Sequence, residues 1–369
     1  MKLLVVGQTP PPYHGSNVMT ENFLQALVGL QVSHSFVDKR FSLTLDEVQR
    51  FKIIKLQRMT SVMVDFANTL RREKPDMVVY FISTLFMGLV PDCMMLKAAQ
   101  MAGVPVVPYI HGVGHRHNYN DLKFKPIYDG VLRKSRSLII LSDTNRADVD
   151  FLNCPVHALP NCLTPSDEAI IDEKLADGKG LNDVAQLVYL SNLFPAKGIM
   201  TLLRSLAIVK EKKIPFNLKV IGQFLDANFE SEVRGYVSIQ KLEQQIEFTG
   251  SLYGEEKADV LSQSDLFVFP SHHENFPLAC LEALAHGLPM VVTNVGAVSE
   301  MVQQDTTGLL VEARNHEQLA QAIMTALEND EWMTDMGEAA RDYFMEHYSF
   351  DTYTRNVDTI LRSIQEINV

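Results

Sequence analysis

Cysteine is scarce in this sequence, with four in 369 residues. Cys93, Cys154, Cys162 and Cys280 sit among apolar neighbours without metal-ligand spacing. That excludes a disulfide-stapled scaffold and predicts buried, reduced thiols in a cytoplasmic protein. Long apolar runs are missing as well. The opening MKLLVVG is closed off by Gln8, Pro10, Pro11 and Pro12, so it predicts a first strand and not a secretory signal. Pro91, Asp92, Lys97 and Pro105 interrupt the apolar 85–107 region, and no membrane span is expected, although peripheral contact at the inner face of a membrane stays open. An excess of cations is absent too. The formal net charge is -12, which argues against a nucleic-acid footprint and leaves room for a local basic patch facing a phosphate. No G-x-G-x-x-G follows the first strand, which weighs against a dinucleotide-dependent dehydrogenase. No convincing set of divalent-metal ligands is present, and Asp148-Val149-Asp150 falls in a predicted helix as a solvated face.

The remaining composition is that of a globular protein, 46% apolar and 21% charged. A single core rarely grows beyond about 250–300 residues, so two domains are expected. Short apolar runs alternate with helical patterns. In the first half these are LLVVG (3–7), MVVYF (77–81), VPVVPYIHG (104–112) and SLIILS (137–142). The second series runs QLVYLS (186–191), FNLKVIG (216–222), IEFTG (246–250), LFVFPS (266–271) and PMVVTN (289–294). Buried strands between amphipathic helices predict parallel sheets, hence two doubly wound, Rossmann-like α/β domains. The polar, acidic texture of 161–184 marks the junction. The expected division is a domain over 1–165, a linker over 166–184, a second domain over 185–345 and a terminal helical segment over 346–369 that packs back on the first domain. Two such domains facing one another would set their carboxyl edges toward a shared cleft.

The densest signal is SHHENFPLACLEALAHGLPMVVTNVGAVSEMV, residues 271–302. A strand ends, a polar loop brings Glu274, and a helix begins near Pro277 with Glu282 eight residues after the first glutamate. Two carboxylates so placed can meet two parts of one ligand, and the positive helix start can receive a diphosphate. With Leu278, Glu282, Ala283, Gly287, Pro289, Thr293, Gly296, Glu300, Gly308 and Leu309 in order behind Glu274, the chain resembles the family 4 retaining glycosyltransferases. These have the two-domain GT-B architecture.

That resemblance implies transfer of a sugar from a nucleotide diphosphate sugar to a hydroxyl acceptor, with a UDP-sugar preferred over a GDP-sugar, in polysaccharide or glycoconjugate assembly. It assigns Glu274 to donor-sugar hydroxyls, Glu282 to the ribose hydroxyls, and the backbone of Asn275, Phe276, Pro277 and Leu278 to sugar and phosphate oxygens. Lys197, in SNLFPAKG, is implied at the diphosphate. Asn192 stands where the family usually has arginine, and asparagine lacks that charge and bidentate fork. Gly222 is implied at the nucleotide, 249–257 at the base, Gly15 beside the diphosphate, and His111 at the transferred sugar. Tyr13, His14, Ser142 and Asn161 fall on the acceptor side. Tyr109, Phe124 and Tyr128 read equally as an acceptor lip with Tyr13 or as ordinary packing. No permanently bound cofactor and no required divalent metal are expected. The acceptor is a sugar, a lipid-linked saccharide or a small hydroxyl compound. A sugar-nucleotide epimerase and a non-catalytic sugar-nucleotide-binding subunit share the architecture and stay open as alternatives.

Overall fold

The computed structural model describes residues 1–10, 15–40, 53–84, 86–176, 178 and 180–367. Strands that are apolar at every position need cover on both faces, and helices layered on a parallel sheet supply it. Leu3, Leu4, Val5 and Val6 accordingly sit with no exposure at all. The chain divides into two units, Met1–Cys162 with the residues from Phe350 onward, and Leu163–Ser349.

The first unit holds β1 (Lys2–Gly7), β2 (Ser33–Asp38), β3 (Met77–Ile82), β4 (Val106–Ile110), β5 (Leu138–Ile140) and β6 (Val156–Ala158) in the parallel order β2-β1-β3-β4-β5-β6. The helix Phe350–Glu366 belongs to this unit and packs on the helix Gly15–Gly29, burying Tyr353, Val357, Ile360, Leu361 and Ile364. Arg136 donates from Nε to the Ile364 carbonyl at 2.9 Å, so a cation meets the negative end of that helix. Pro91 and Asp92 lie inside the helix Phe86–Met101, and no described helix is long and apolar enough to cross a membrane.

The second unit holds β7 (Ala185–Leu190), β8 (Phe216–Ile221), β9 (Ile246–Gly250), β10 (Leu266–Phe269), β11 (Met290–Thr293) and β12 (Gly308–Val311). Their order is β9-β8-β7-β10-β11-β12, all parallel. Chain direction across the sheet therefore reverses between β7 and β10, the switch point where open α/β sheets take ligands at their carboxyl edge. The first sheet has its reversal beside β1. Residues 166–184, expected as a linker, contain most of the helix Pro165–Leu175, which packs on the helix Gly254–Ser262 within the second unit. Thr164 caps it, accepting at 3.0 Å from the Asp167 N–H.

The loop after β4 is anchored by His115. Its Nδ1 lies 2.9 Å from the Tyr128 hydroxyl and its Nε2 lies 3.4 Å from Thr84 Oγ1. The Asp148 carboxylate accepts from the N–H groups of Gly114, His115 and Arg116 at 2.9, 3.0 and 2.9 Å. Asp148 is thus half-buried and caps the helix His115–Asn120, where a solvated face was expected. Asp150 remains exposed and pairs with Arg116. Burial pushes the His115 imidazole from 6.5 down to about 4, against the opposing pull of Asp148. Between those two values the unfolded chain binds a proton that the folded chain refuses, so stability falls as pH drops through that window. The thermal midpoint of His115→Gln, followed between neutral pH and pH ~4, should fall less steeply than that of the wild type. Equal slopes would place the acid sensitivity elsewhere.

Candidate functional site

The loops leaving β7 and β10 rise side by side at the switch point of the second sheet. The first carries Lys197 and the second Glu274, and Lys197 Nζ lies 2.5 Å from Glu274 Oε1. The carboxylate is 8% exposed and the lysine side chain 21%. Burial at that level is sustained by the opposite charge, because a lone carboxylate out of water costs several kcal/mol (roughly 3–5 when a buried pair is broken). The rings of Phe194 and Phe269 lie 5.8 and 5.9 Å from the ammonium.

The backbone beneath this pair is fixed from several sides. The Tyr189 hydroxyl donates to the Lys197 carbonyl at 2.9 Å, and the His272 N–H donates to the Ala196 carbonyl at 2.8 Å. Thr293 Oγ1 donates to the Ser271 carbonyl, and the Ala297 N–H donates to the Asn275 carbonyl at 2.9 Å. Gly198 has φ +76°, and a Cβ there would collide with the Pro270 carbonyl oxygen. The absent side chain is what lets the two loops touch. Gly222, expected at the nucleotide, has φ +142° and admits the Ser191 carbonyl in the same way, so its visible role is to seat the loop before Lys197.

The helix after β10 runs Leu278–Ala285 with Pro277 as its N-cap in extended geometry. The first-turn N–H groups of an α-helix have no intrahelical acceptor, and here that turn begins at Leu278, with three residues between it and Glu274. Phe276 is buried, its ring 5.9 Å from that of Tyr348. Glu282 Oε2 lies 2.6 Å from Lys257 Nζ, the side chains 15% and 21% exposed. Burial alone would lower the Lys257 ammonium; the charge and hydrogen bond of Glu282 reverse this and raise it. Lys257 was not foreseen as a partner of Glu282. It falls in the 249–257 segment expected at the base, and the only signal was a lysine one turn into a short helix.

Asn192 is exposed, beside the Leu193–Phe224 bridge. In the first unit, the half-buried His111 ring follows β4, stacked on Phe81 at 5.2 Å and tilted against Tyr109 at 4.3 Å. Ser142 is buried and its Oγ accepts from the Thr144 N–H at 3.1 Å, a turn-capping role. Asn161 is buried beyond β6. Gly15 opens its helix, while Tyr13 and His14 lie outside the described residues. Tyr109 and Tyr128 have no exposure, so both are core and neither forms a lip; Phe124 is half-buried. Three of the four cysteines are buried, Cys154 is half-buried, and all are free.

Residues 172–343 match the family model for the glycosyl transferases group 1. This segment is a group 1 glycosyl transferase domain. Among curated relatives, the N-acetyl-alpha-D-glucosaminyl L-malate synthase of Bacillus anthracis is 29% identical over 175 residues, 47% of this chain and 44% of that protein. The chain spans about half or less of the length of the first curated relatives it matches. Among solved structures, the sucrose-phosphate synthase of Thermosynechococcus elongatus aligns with a TM-score of 0.76 at 17% identity, covering 100% of both chains. Anabaena HepE in complex with UDP aligns with a TM-score of 0.72 at 16% identity, covering 98% of this chain and 100% of that one. The fold is GT-B. Within the glycosyl transferase domain, Lys197, Gly222, Glu274 and Glu282 all fall inside the matched segment.

Gly198→Ala tests how far the site depends on the touching loops. Strain at φ +76° and the collision with Pro270 should together cost more than about 2 kcal/mol in denaturant unfolding. A loss below about 0.5 kcal/mol would show that the loops separate freely.

Proposed function

We propose that this chain moves a glycosyl group from a nucleotide diphosphate sugar to a hydroxyl acceptor with retention of configuration, in polysaccharide or glycoconjugate assembly. The observation that carries the reading is the Lys197–Glu274 pair over the switch point of the second sheet. A sugar diphosphate needs a cation for the leaving phosphate and an anion for the sugar hydroxyls, and this pair offers both. An incoming diphosphate bears more charge than one carboxylate, so it draws the ammonium from Glu274 and frees that carboxylate to accept from the sugar.

In this reading the bond between the anomeric carbon and the phosphate oxygen breaks with its electrons going to the diphosphate. Lys197 and the N–H groups opening Leu278–Ala285 stabilise that charge as it forms. The acceptor oxygen bonds to the anomeric carbon on the face the diphosphate leaves, and its proton passes to the departing phosphate. The positive charge comes from protein groups, so no resident divalent ion is required. Glu282 takes the ribose hydroxyls. His111 enters through the family resemblance, as a hydrogen-bond partner of the transferred sugar. UDP-sugars are the preferred donors, and the occurrence of UDP in the HepE structure supports that choice. GDP-sugars are the alternative, and the family membership is equally compatible with a hexosyl or an N-acetylhexosaminyl group.

Asn192 favours a second reading. It supplies no charge where the family 4 pattern has arginine, as a sugar-nucleotide-binding subunit without turnover would. The two readings separate in one assay. UDP- and GDP-sugars are incubated with free sugars and lipid-linked saccharides while nucleotide release and the anomeric signals of the product are followed by NMR. The transferase releases nucleotide and keeps the donor's anomeric configuration, and Lys197→Ala lowers the rate about 100-fold or more. An inverted product would contradict retention. Donor binding with no release against any acceptor would establish the binding subunit.

A further inference from the structure

Glu282 is held by a residue that the donor-site assignment does not use. Lys257 comes from the helix Gly254–Ser262, which follows β9, whereas Glu282 comes from the helix after β10. Their 2.6 Å pair ties these two helices together. Lys257 is itself supported from behind. The charge of Asp167 acts on it, and Lys174 fastens the helix carrying Asp167 to Asp259, on the same helix as Lys257, at 2.7 Å.

A carboxylate has two oxygens and about four lone-pair directions, and it turns freely about its last bond unless one oxygen is anchored. The ammonium engages Oε2. That leaves Oε1 in a set orientation, able to accept from a pair of neighbouring hydroxyls on one sugar ring. We propose that Lys257 is a positioning residue which fixes Glu282 for the 2′- and 3′-hydroxyls of the donor ribose and so makes the site discriminate ribonucleotides from 2′-deoxyribonucleotides. The inference rests on the assignment of Glu282 to the ribose.

The test is the dissociation constant of UDP, GDP and their 2′-deoxy counterparts for the full chain, measured by titration calorimetry. Wild type should prefer the ribonucleotide by about tenfold or more, the worth of a hydrogen bond to a charged group. Lys257→Met should shrink the preference below threefold while leaving the affinity for the 2′-deoxy nucleotide unchanged, since the diphosphate contacts stay. Lys257→Ala serves the same purpose should the methionine variant not fold. Lys257→Arg should restore most of the preference. A full preference in the folded methionine or alanine variant overturns the role of Lys257. Loss of affinity for both nucleotides alike would also overturn it, marking Lys257 as general scaffolding. Glu282→Gln isolates the underlying reading: an unchanged preference in that variant, or no nucleotide binding by folded wild type, sinks the ribose assignment itself and is thereby distinguished from a failure of Lys257 alone.

Discussion

Glu274 keeps 92% of its side chain from water, and a carboxylate does so only beside a counter-charge. The Lys197 ammonium at 2.5 Å meets that requirement, and much of the second unit serves to hold the two groups together. The strand order sets β7 next to β10, so the loops that bear the pair emerge as neighbours. Gly198 lets those loops touch, Tyr189 pins the lysine's carbonyl, and Thr293 reaches back from β11 to the loop before Glu274. Remove the pairing and the same loops enclose an uncompensated charge.

The pattern repeats eight residues later, where Lys257 holds Glu282. Each glutamate of the motif thus arrives with its own lysine, from a different loop or helix in each case. In a protein whose formal charge is -12, these two carboxylates are each balanced by a lysine of the same unit. The arrangement is suited to a ligand that carries both negative charge and hydroxyl groups, because Lys197 and Glu274 can exchange one another for parts of that ligand while Lys257 keeps its hold on Glu282. The cost is stability kept in reserve, since such pairs are rarely better than apolar packing of equal volume.

Much of this was legible in the residues, for physical reasons. Strands buried on both faces spell continuous apolar runs, so β1, β3, β4, β5, β7, β8, β10 and β11 stand out, and the edge strand β9 was read as well from IEFTG. β2 and β6, which did not stand out, lie at sheet edges, where SHSFVD and VHA need no apolar run; β12 was not read either, although GLLV is an apolar run of four residues. Glu274 and Glu282 stood out in their motif, but their roles, and that of Lys197, were given by the family resemblance and not by spacing. Lys257 was missed as a partner because 25 residues and a strand separate it from Glu282, and no periodicity links two helices. A separation of 32 to 34 residues likewise hid the capping of Gly114–Arg116 by Asp148. Tyr109 and Tyr128 could be read as surface or core, and only the packing around His115 and beneath His111 places them inside.

The central claim is that Lys197 and Glu274 together form the donor-recognition pair, and ligand-observed NMR tests it most directly. UDP-, GDP-, ADP- and dTDP-sugars are presented to wild type, Lys197→Met, Glu274→Gln and the double variant. One nucleotide sugar should saturate the wild type selectively. Lys197→Met should weaken the diphosphate contact, Glu274→Gln should weaken the sugar signals while the nucleotide still binds, and the double variant should lose less than the sum because the two groups are coupled. Folded wild type that binds none of the panel, or binds one with an affinity neither substitution changes, would contradict the account.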